Sequence, residues 1–189
     1  MNKIFITLIL LLLTSCSVFK LIKPVTVSAH GIEITPVTSW SKMNLNPHKK
    51  SDIWTKDGFG LNELFIIGNI ADGETIFKSV NKELPLPQFK SNMLPNELEE
   101  FIKTSFKNNY NGKITVKTES LEPYMLGNDV GFRLQLSYYL ESGLAKDIDA
   151  VMSIKNGKLF LVMYIAPQIH YSEKYRTEIN EIFKSIKIL

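Results

Sequence analysis

The chain has 189 residues, of which 44% are hydrophobic and 22% charged, an ordinary globular composition that is sufficient for one domain with its own core. The net charge is only +3 and the basic residues are scattered, so no nucleic-acid partner is expected, because phosphates are bound by clustered Lys and Arg. A single cysteine, Cys16, excludes an intrachain disulfide, a redox pair and a thiolate metal cluster.

The N-terminus has the pattern of a secretion signal. Lys3 supplies a positive charge and residues 4–13 form a ten-residue, largely apolar run. Ten helical residues cover about 15 Å, roughly half of a bilayer core, which is too short for a stable span. The segment Leu13-Thr14-Ser15-Cys16 resembles the lipobox of bacterial lipoproteins. That resemblance implies acylation of the Cys16 thiol, with palmitate among the acyl groups, and removal of residues 1–15; a plain signal peptide and a short membrane anchor are the alternatives.

The same resemblance predicts where the protein resides. Acyl chains would attach it to a membrane of the cell envelope, where two chains give stable anchoring. An aspartate after the lipidated cysteine usually retains enterobacterial lipoproteins in the inner membrane, so Ser17 favours the periplasmic face of the outer membrane. Residues 16–24 are then the lipidated cysteine and its tether, and residues 25–189 are a single domain.

The first part of this domain predicts short strands. Alternating apolar and polar residues on both sides of His30-Gly31 indicate a hairpin. A polar stretch containing Asn46-Pro47 predicts a loop over residues 41–52. Strand candidates then follow at residues 53–58 and 61–70, with a turn at Asp72-Gly73.

The second part predicts two helices and a run of strands. Pro95 at a first helical position and acidic residues in the first turn indicate a helix over 95–109, preceded by Leu94 as a weak cap. A final helix is predicted over 172–186, with Ser172 as its cap. Asn156-Gly157 is the strongest hairpin signal in the chain. The strands are predicted at residues 113–121, 130–140, 145–154 and 159–166. The expected fold class is α+β, an antiparallel sheet with helices packed on it.

Several features of this order resemble the PsbP-like superfamily. They are Trp40 after the first hairpin, a helix before the long strands, a strand entered through Gly127 to Arg133, and a last helix ending in Lys184-Ser185-Ile186. The resemblance implies an α/β/α sandwich and non-enzymatic roles as accessory subunit, assembly factor or envelope lipoprotein, without catalytic residues. Photosystem binding is not implied, because this chain carries a lipobox in place of a transit peptide.

Shorter motifs are similar to those of uncharacterised proteobacterial lipoproteins. They are Trp54-Thr55…Gly58…Leu61-Asn62, Met93…Pro95…Glu97-Leu98, Gly131-Phe132-Arg133 and Ala166-Pro167…His170-Tyr171.

The sequence offers little for catalysis. His30, His48 and His170 are not at zinc-ligand spacing, and His48 is expected in a solvated loop, so no metal is predicted. No nucleophile elbow or Walker A loop is present, and no cofactor is expected. The protein is therefore predicted not to be an enzyme.

Two groups of polar residues allow a site. Asp147 and Asp149 project from one face of a strand, either as paired carboxylates for acid/base work or a cation site or, as we favour, as a solvated strand face. Arg133, His170 and Tyr171 could line a binding pocket with Trp54. The alternative that we favour for these is a structural ion pair or a capping arrangement.

Three functions remain. The first is a non-catalytic envelope lipoprotein whose domain binds or supports an envelope protein. The second is a carrier that holds a small ligand between sheet and helix. The third, a hydrolase, is the least favoured because no nucleophile motif is present.

Overall fold

A computed structural model describes residues 19–79 and 81–189, so Cys16 and the predicted signal lie outside the described residues. The helices are Pro95–Asn109 (α1), Tyr171–Lys174 (α2) and Arg176–Ser185 (α3). The strands are Phe19–Ile22 (β1), Val27–Ala29 (β2), Ile32–Ile34 (β3), Trp40–Met43 (β4), Ser51–Thr55 (β5), Glu63–Ile70 (β6), Thr115–Leu126 (β7), Asp129–Tyr139 (β8), Ala145–Lys155 (β9), Lys158–Pro167 (β10) and Lys187–Ile188 (β11). None of the helices in this part of the chain is long and apolar enough to cross a bilayer.

The main sheet has eight strands in the order β1-β4-β5-β6-β10-β9-β8-β7, and every neighbouring pair is antiparallel. The predicted antiparallel run over 113–166 is confirmed, because β7 to β10 are neighbours in this sheet. A second sheet of three strands, β11-β3-β2, joins the C-terminus to the first hairpin. The predicted α+β class is therefore confirmed.

Both predicted tight hairpins form. Asn156 and Gly157 have φ of 51° and 72° and connect the paired residues Lys155 and Lys158. His30 and Gly31, with φ of 52° and 82°, connect β2 and β3 in the same way. Two successive positive φ values match the right-handed twist of the flanking strands, which is why Asn and Gly are favoured there.

Apolar side chains cover both faces of the main sheet. One face packs under α1 and the segments 71–79 and 81–94, in a cluster that includes Met43, Ile67, Phe89, Phe101, Leu134, Tyr138 and Ile148. The opposite face packs under α3 and the small sheet, in a cluster that includes Trp40, Trp54, Leu64, Val162, Ile182 and Phe183. Because strand residues alternate between faces, the apolar β10 serves both layers.

Three predicted boundaries are wrong. Phe19–Ile22 is not tether, because it pairs with β4 as an edge strand. The predicted loop 41–52 is shorter in the structure, because β4 extends to Met43 and β5 begins at Ser51. Met43 and Ile53 in these strands are buried. Strand β7 continues past residue 121 to Leu126, with Pro123 tolerated because β7 is the sheet's other edge.

The final helix also differs from the prediction. It is divided between α2 and α3 at Tyr175, whose φ and ψ of −113° and 8° are not helical. His170, and not Ser172, is the residue before the first turn. Ser172 instead donates a hydrogen bond to Asp147 across to β9 at 2.6 Å. The hydroxyl of Ser172, which the local sequence predicts to cap the helix, thus forms a hydrogen bond with a distant strand instead.

Candidate functional site

The structure does not bring the four predicted pocket residues into one pocket. Trp54 is fully buried in β5, so it forms part of the core and not of a surface wall. Its indole Nε1–H finds no acceptor among the described residues. His170 and Tyr171 do touch, with ring centroids 5.0 Å apart at the turn that enters α2. Arg133 lies on β8, where it has other partners.

Arg133 forms a bidentate ion pair with Asp149 on the neighbouring strand. Nε donates to Oδ1 at 2.8 Å, and Nη2 donates to Oδ2 at 2.5 Å. Nη2 also donates to the Asn180 side-chain oxygen of α3 at 2.8 Å, and the guanidinium lies 5.5 Å from the Phe183 ring centroid. Hydrogen bonding to Asp149 raises the pKa of Arg133 further. The favoured structural ion pair is present, and it connects β8, β9 and α3.

Asp147 likewise has partners in the protein, one just after β10 and one in α2. Its two carboxylate oxygens accept from the Gln168 amide at 2.7 Å and from the Ser172 hydroxyl at 2.6 Å. The prediction that Asp147 and Asp149 form a solvated strand face is therefore wrong. Each carboxylate instead has its own structural partners, which is also unlike two carboxylates that share one reacting group.

A cleft of about 200 Å³ opens between these strands and the last two helices. Its walls include Glu119, Gln135, Asp147, Tyr164 and Arg176. Ligand pockets generally have volumes of about 300–1,000 Å³ and mostly apolar walls. This cleft is smaller and more polar, and its carboxylates at 147 and 149 already accept hydrogen bonds from protein groups.

A larger groove of about 360 Å³ lies between α1 and β7. Its walls are mainly polar and charged residues at the surface, including Glu100, Lys103 and Lys107. A groove of this kind suits contact with another surface better than enclosure of an apolar ligand.

A cluster that no sequence motif marks holds the junction between α2 and α3 on the sheet. Lys56 pairs with Glu178 and lies over the rings of Trp40 and Tyr175, 5.4 and 4.8 Å from their centroids. The Trp40 indole donates to Glu178 at 3.0 Å. Burial alone would raise the pKa of the Glu178 carboxyl, but the hydrogen bonds that it accepts lower it below its usual value.

Asp57 supplies the second half of this cluster. It accepts hydrogen bonds from the Tyr175 hydroxyl at 2.8 Å, from Lys174 at 3.0 Å and from Asn62 at 2.7 Å. Partial desolvation would raise the pKa of Asp57, but the bonds from Lys174 and Tyr175 outweigh it and the pKa is lowered. No local pattern could have revealed this group, because Lys56 and Glu178 are 122 positions apart.

The three histidines lie apart. His30 contacts Asp52 at 3.1 Å, and His170 is exposed. His48 is buried, contrary to the predicted solvated loop, and burial lowers its pKa. Among residues 19–79 and 81–189, no group of three His, Cys, Asp or Glu side chains could hold a metal ion.

Comparison with solved structures identifies the fold. The cyanobacterial PsbP protein CyanoP from Synechocystis sp. PCC 6803 matches with a TM-score of 0.60 and 9% identity, over 93% of this chain and 95% of CyanoP. A Bacteroides thetaiotaomicron structure matches with a TM-score of 0.50 and 9% identity, over 86% of this chain and 47% of that protein. LpqN of Mycobacterium tuberculosis, which is involved in cell envelope biogenesis, has a TM-score of 0.40 and 8% identity over 93% of this chain and 87% of its own.

The sequence itself matches no known family and no curated protein. At 9% identity, the similarity to CyanoP shows the PsbP-like fold alone. The fold implied by the sequence resemblance is therefore confirmed.

Proposed function

We propose that the protein is a lipid-anchored accessory domain of the bacterial cell envelope, attached through Cys16 and facing the periplasm, on the outer membrane in a two-membrane cell. Its domain binds or supports an envelope protein and carries out no reaction. The lipobox at residues 13–16 supports the anchor, and the PsbP-like fold is compatible with an accessory role.

One observation favours protein binding over catalysis or ligand transport: the cleft beneath the last helices is small, and its carboxylates already have partners in the protein. The cleft measures about 200 Å³, and the carboxylates of Asp147 and Asp149 in its wall already accept hydrogen bonds from protein groups. A carrier needs a roomier and more apolar cavity, and a hydrolase needs a nucleophile within reach of a free base. We infer that the domain acts through its outer surface.

Acylation and processing test the anchor directly. In cells supplied with a palmitate analogue, we expect the wild-type protein to carry the label and to begin at Cys16. The Cys16→Ser variant should carry no label and should retain residues 1–15, because the thiol is the acylated atom and cleavage follows acylation in lipobox proteins. Mass spectrometry of the purified proteins measures both properties.

Ser17→Ala is the matched control, since it alters the neighbouring residue and leaves the box intact; it should be labelled and processed like the wild type. An unlabelled wild-type protein, or equal labelling of Cys16→Ser, would contradict the anchor.

A further inference from the structure

Only Ser17 and Val18 separate the proposed anchor from the first strand of the sheet. A chain extends by at most about 3.6 Å per residue, so the Cα of Phe19 lies within about 11 Å of that of Cys16. The polar layer of one leaflet is roughly 5–8 Å thick. An acylated Cys16 would therefore bring strand β1 against the bilayer surface. Because β1 is the outermost strand of the main sheet, it can approach a flat surface without obstruction from a neighbouring strand.

Exposed apolar side chains lie on and near β1. Phe19 and Leu21 share one face of the strand and are 43% and 60% exposed, whereas Ile22 points to the opposite face and is buried. Phe59, in the connection between β5 and β6, is 67% exposed. A groove of about 210 Å³ is lined by Phe19 and by Gly58, the residue before Phe59. Phe19, Leu21 and Phe59 are here called the anchor patch: three exposed apolar side chains, two on β1 and one on the connection that borders the same groove as Phe19.

The charges beside the anchor patch are positive. Lys20 and Lys23 are exposed, and residues 1–32 contain no Asp or Glu. Asp57 lines the same groove, but its carboxylate accepts hydrogen bonds from Lys174 and Tyr175. Exposed lysines beside a membrane are attracted to anionic phospholipid headgroups. Apolar side chains flanked by lysines are the composition that suits the boundary between headgroups and acyl chains.

We propose that the anchor patch docks on the bilayer, with Phe19, Leu21 and Phe59 at headgroup depth and Lys20 and Lys23 against anionic headgroups. This inference rests on the proposed lipid at Cys16. The sheet is then tilted so that its β1 edge and the β5–β6 connection face the membrane, and its opposite edge, β7, points away. The two edges are seven strand spacings apart, roughly 33 Å at 4.7–4.9 Å per spacing. The orientation leaves β7 and the α1 groove open to a partner.

Site-specific fluorescence tests the orientation. The only native cysteine would be blocked by lipid, so a single introduced cysteine can be labelled selectively in the full-length lipidated protein. We choose Leu21→Cys and Phe59→Cys in the patch, with Lys117→Cys on the exposed far edge as matched control. The proteins are reconstituted into vesicles of phosphatidylethanolamine and phosphatidylglycerol that carry a headgroup-level nitroxide lipid. Labels at positions 21 and 59 should lose fluorescence, and the label at 117 should keep it.

Each other outcome has a distinct meaning. A lipidated protein whose three labels are quenched equally, or not at all, would overturn the docked orientation and leave the anchor intact. Labels at 21 and 59 that are shielded from aqueous iodide but not reached by the nitroxide lipid would show a protein covering the patch, and would also overturn it. Mass spectrometry of the same preparation reports the lipid: its absence would overturn the anchor and, with it, this inference.

Discussion

At the scale of single residues, several charged side chains near the last helices have a structural role. Arg133 illustrates this, because its guanidinium binds Asp149 in two places and Asn180 in a third. The pair is three-quarters buried, so it is screened less than a surface ion pair. A residue that the sequence offered as a binding cation is thus the side chain that connects the last helix to two strands.

We expect Arg133→Ala to lower the free energy of unfolding by about 2 kcal/mol, because Asp149 loses two charge-assisted hydrogen bonds and remains largely buried. The free energy of unfolding of Arg133→Lys should lie between those of the wild type and Arg133→Ala, since lysine keeps the charge but cannot bind both oxygens of Asp149. Denaturant titration measures the change. Arg176→Ala, at an exposed pair with Glu173, is the control and should stay within about 0.5 kcal/mol of wild type. An Arg133→Ala protein of unchanged stability but weaker partner capture would restore the binding role.

Glu63 is a second residue with a testable consequence. It is 6% exposed, and burial raises its pKa more than the nearby Lys146 and the Gly60 amide lower it. A carboxyl with a raised pKa in the folded state stabilises the fold below the pKa of the unfolded chain, and loses that contribution as pH rises through the folded pKa. At neutral pH the ionised Glu63 should therefore be a net cost.

Replacing Glu63 by Gln removes that ionisation and keeps an acceptor for the Gly60 amide. We expect a higher midpoint of thermal unfolding than wild type at neutral pH, with the difference vanishing below about pH 4, where the unfolded carboxyl is protonated. Glu141→Gln, at an exposed position, should show no comparable pH-dependent gain. A lower midpoint for Glu63→Gln at neutral pH would mean that attraction to Lys146 outweighs burial.

At the scale of elements, the close approach of the first hairpin to β6 depends on a glycine. The strand pairing of β6 with β10 shifts between Ile67 and Ile70, which leaves Gly68 and Asn69 as a bulge. The Asn69 amide donates to the His30 carbonyl at 2.8 Å, and a Cβ at Gly68 would lie 2.1 Å from that same oxygen. The bulge thus fits the hairpin tip only without a side chain at position 68.

Gly68→Ala should therefore reduce the free energy of unfolding by about 3 kcal/mol, because the hairpin backbone must shift away from the new methyl group. Gly73→Ala is the matched control: a Cβ there has no atom within 4 Å and meets only the cost of a φ of 79°, about 1 kcal/mol. Chemical denaturation of the two variants compares them. Equal losses of unfolding free energy in the two variants would show that the close approach of Gly68 to the His30 carbonyl does not exclude a side chain.

At the scale of the whole molecule, segments near both ends of the chain are integrated into sheets. β1 pairs with β4, and the C-terminal strand β11 pairs with β3 of the first hairpin. Ile188 is buried, and the Leu189 amide donates to the Gly31 carbonyl at 2.9 Å. Because residues far apart in sequence share these layers, the domain should unfold as one cooperative unit.

Deletion of residues 187–189 tests this integration. We expect a loss of about 2–3 kcal/mol, from the exposure of the Ile188 site and its neighbours, while unfolding remains a single transition. Leu189→Ala keeps the backbone bond to Gly31 and alters an exposed side chain, so it should lie within about 0.5 kcal/mol of wild type. Differential scanning calorimetry shows both results. Two separate transitions after the deletion would contradict the cooperative unit.

The sequence by itself determined the features that arise from neighbouring residues. The alternation in β8, the apolar stripe of α1 and the Asn156-Gly157 turn are local patterns, and each predicted element is present. Together they predicted the antiparallel α+β fold.

Only the tertiary structure decided what each polar or aromatic side chain does. Trp54 is buried because α3 and the small sheet cover its face of the main sheet, and Ser172 binds Asp147 in place of capping a helix. The Arg133–Asn180 contact and the cluster joining Lys56 to Glu178 connect residues 47 and 122 positions apart. Such contacts depend on how the layers pack, and periodicity records only which face a residue occupies, not which distant residue lies opposite it.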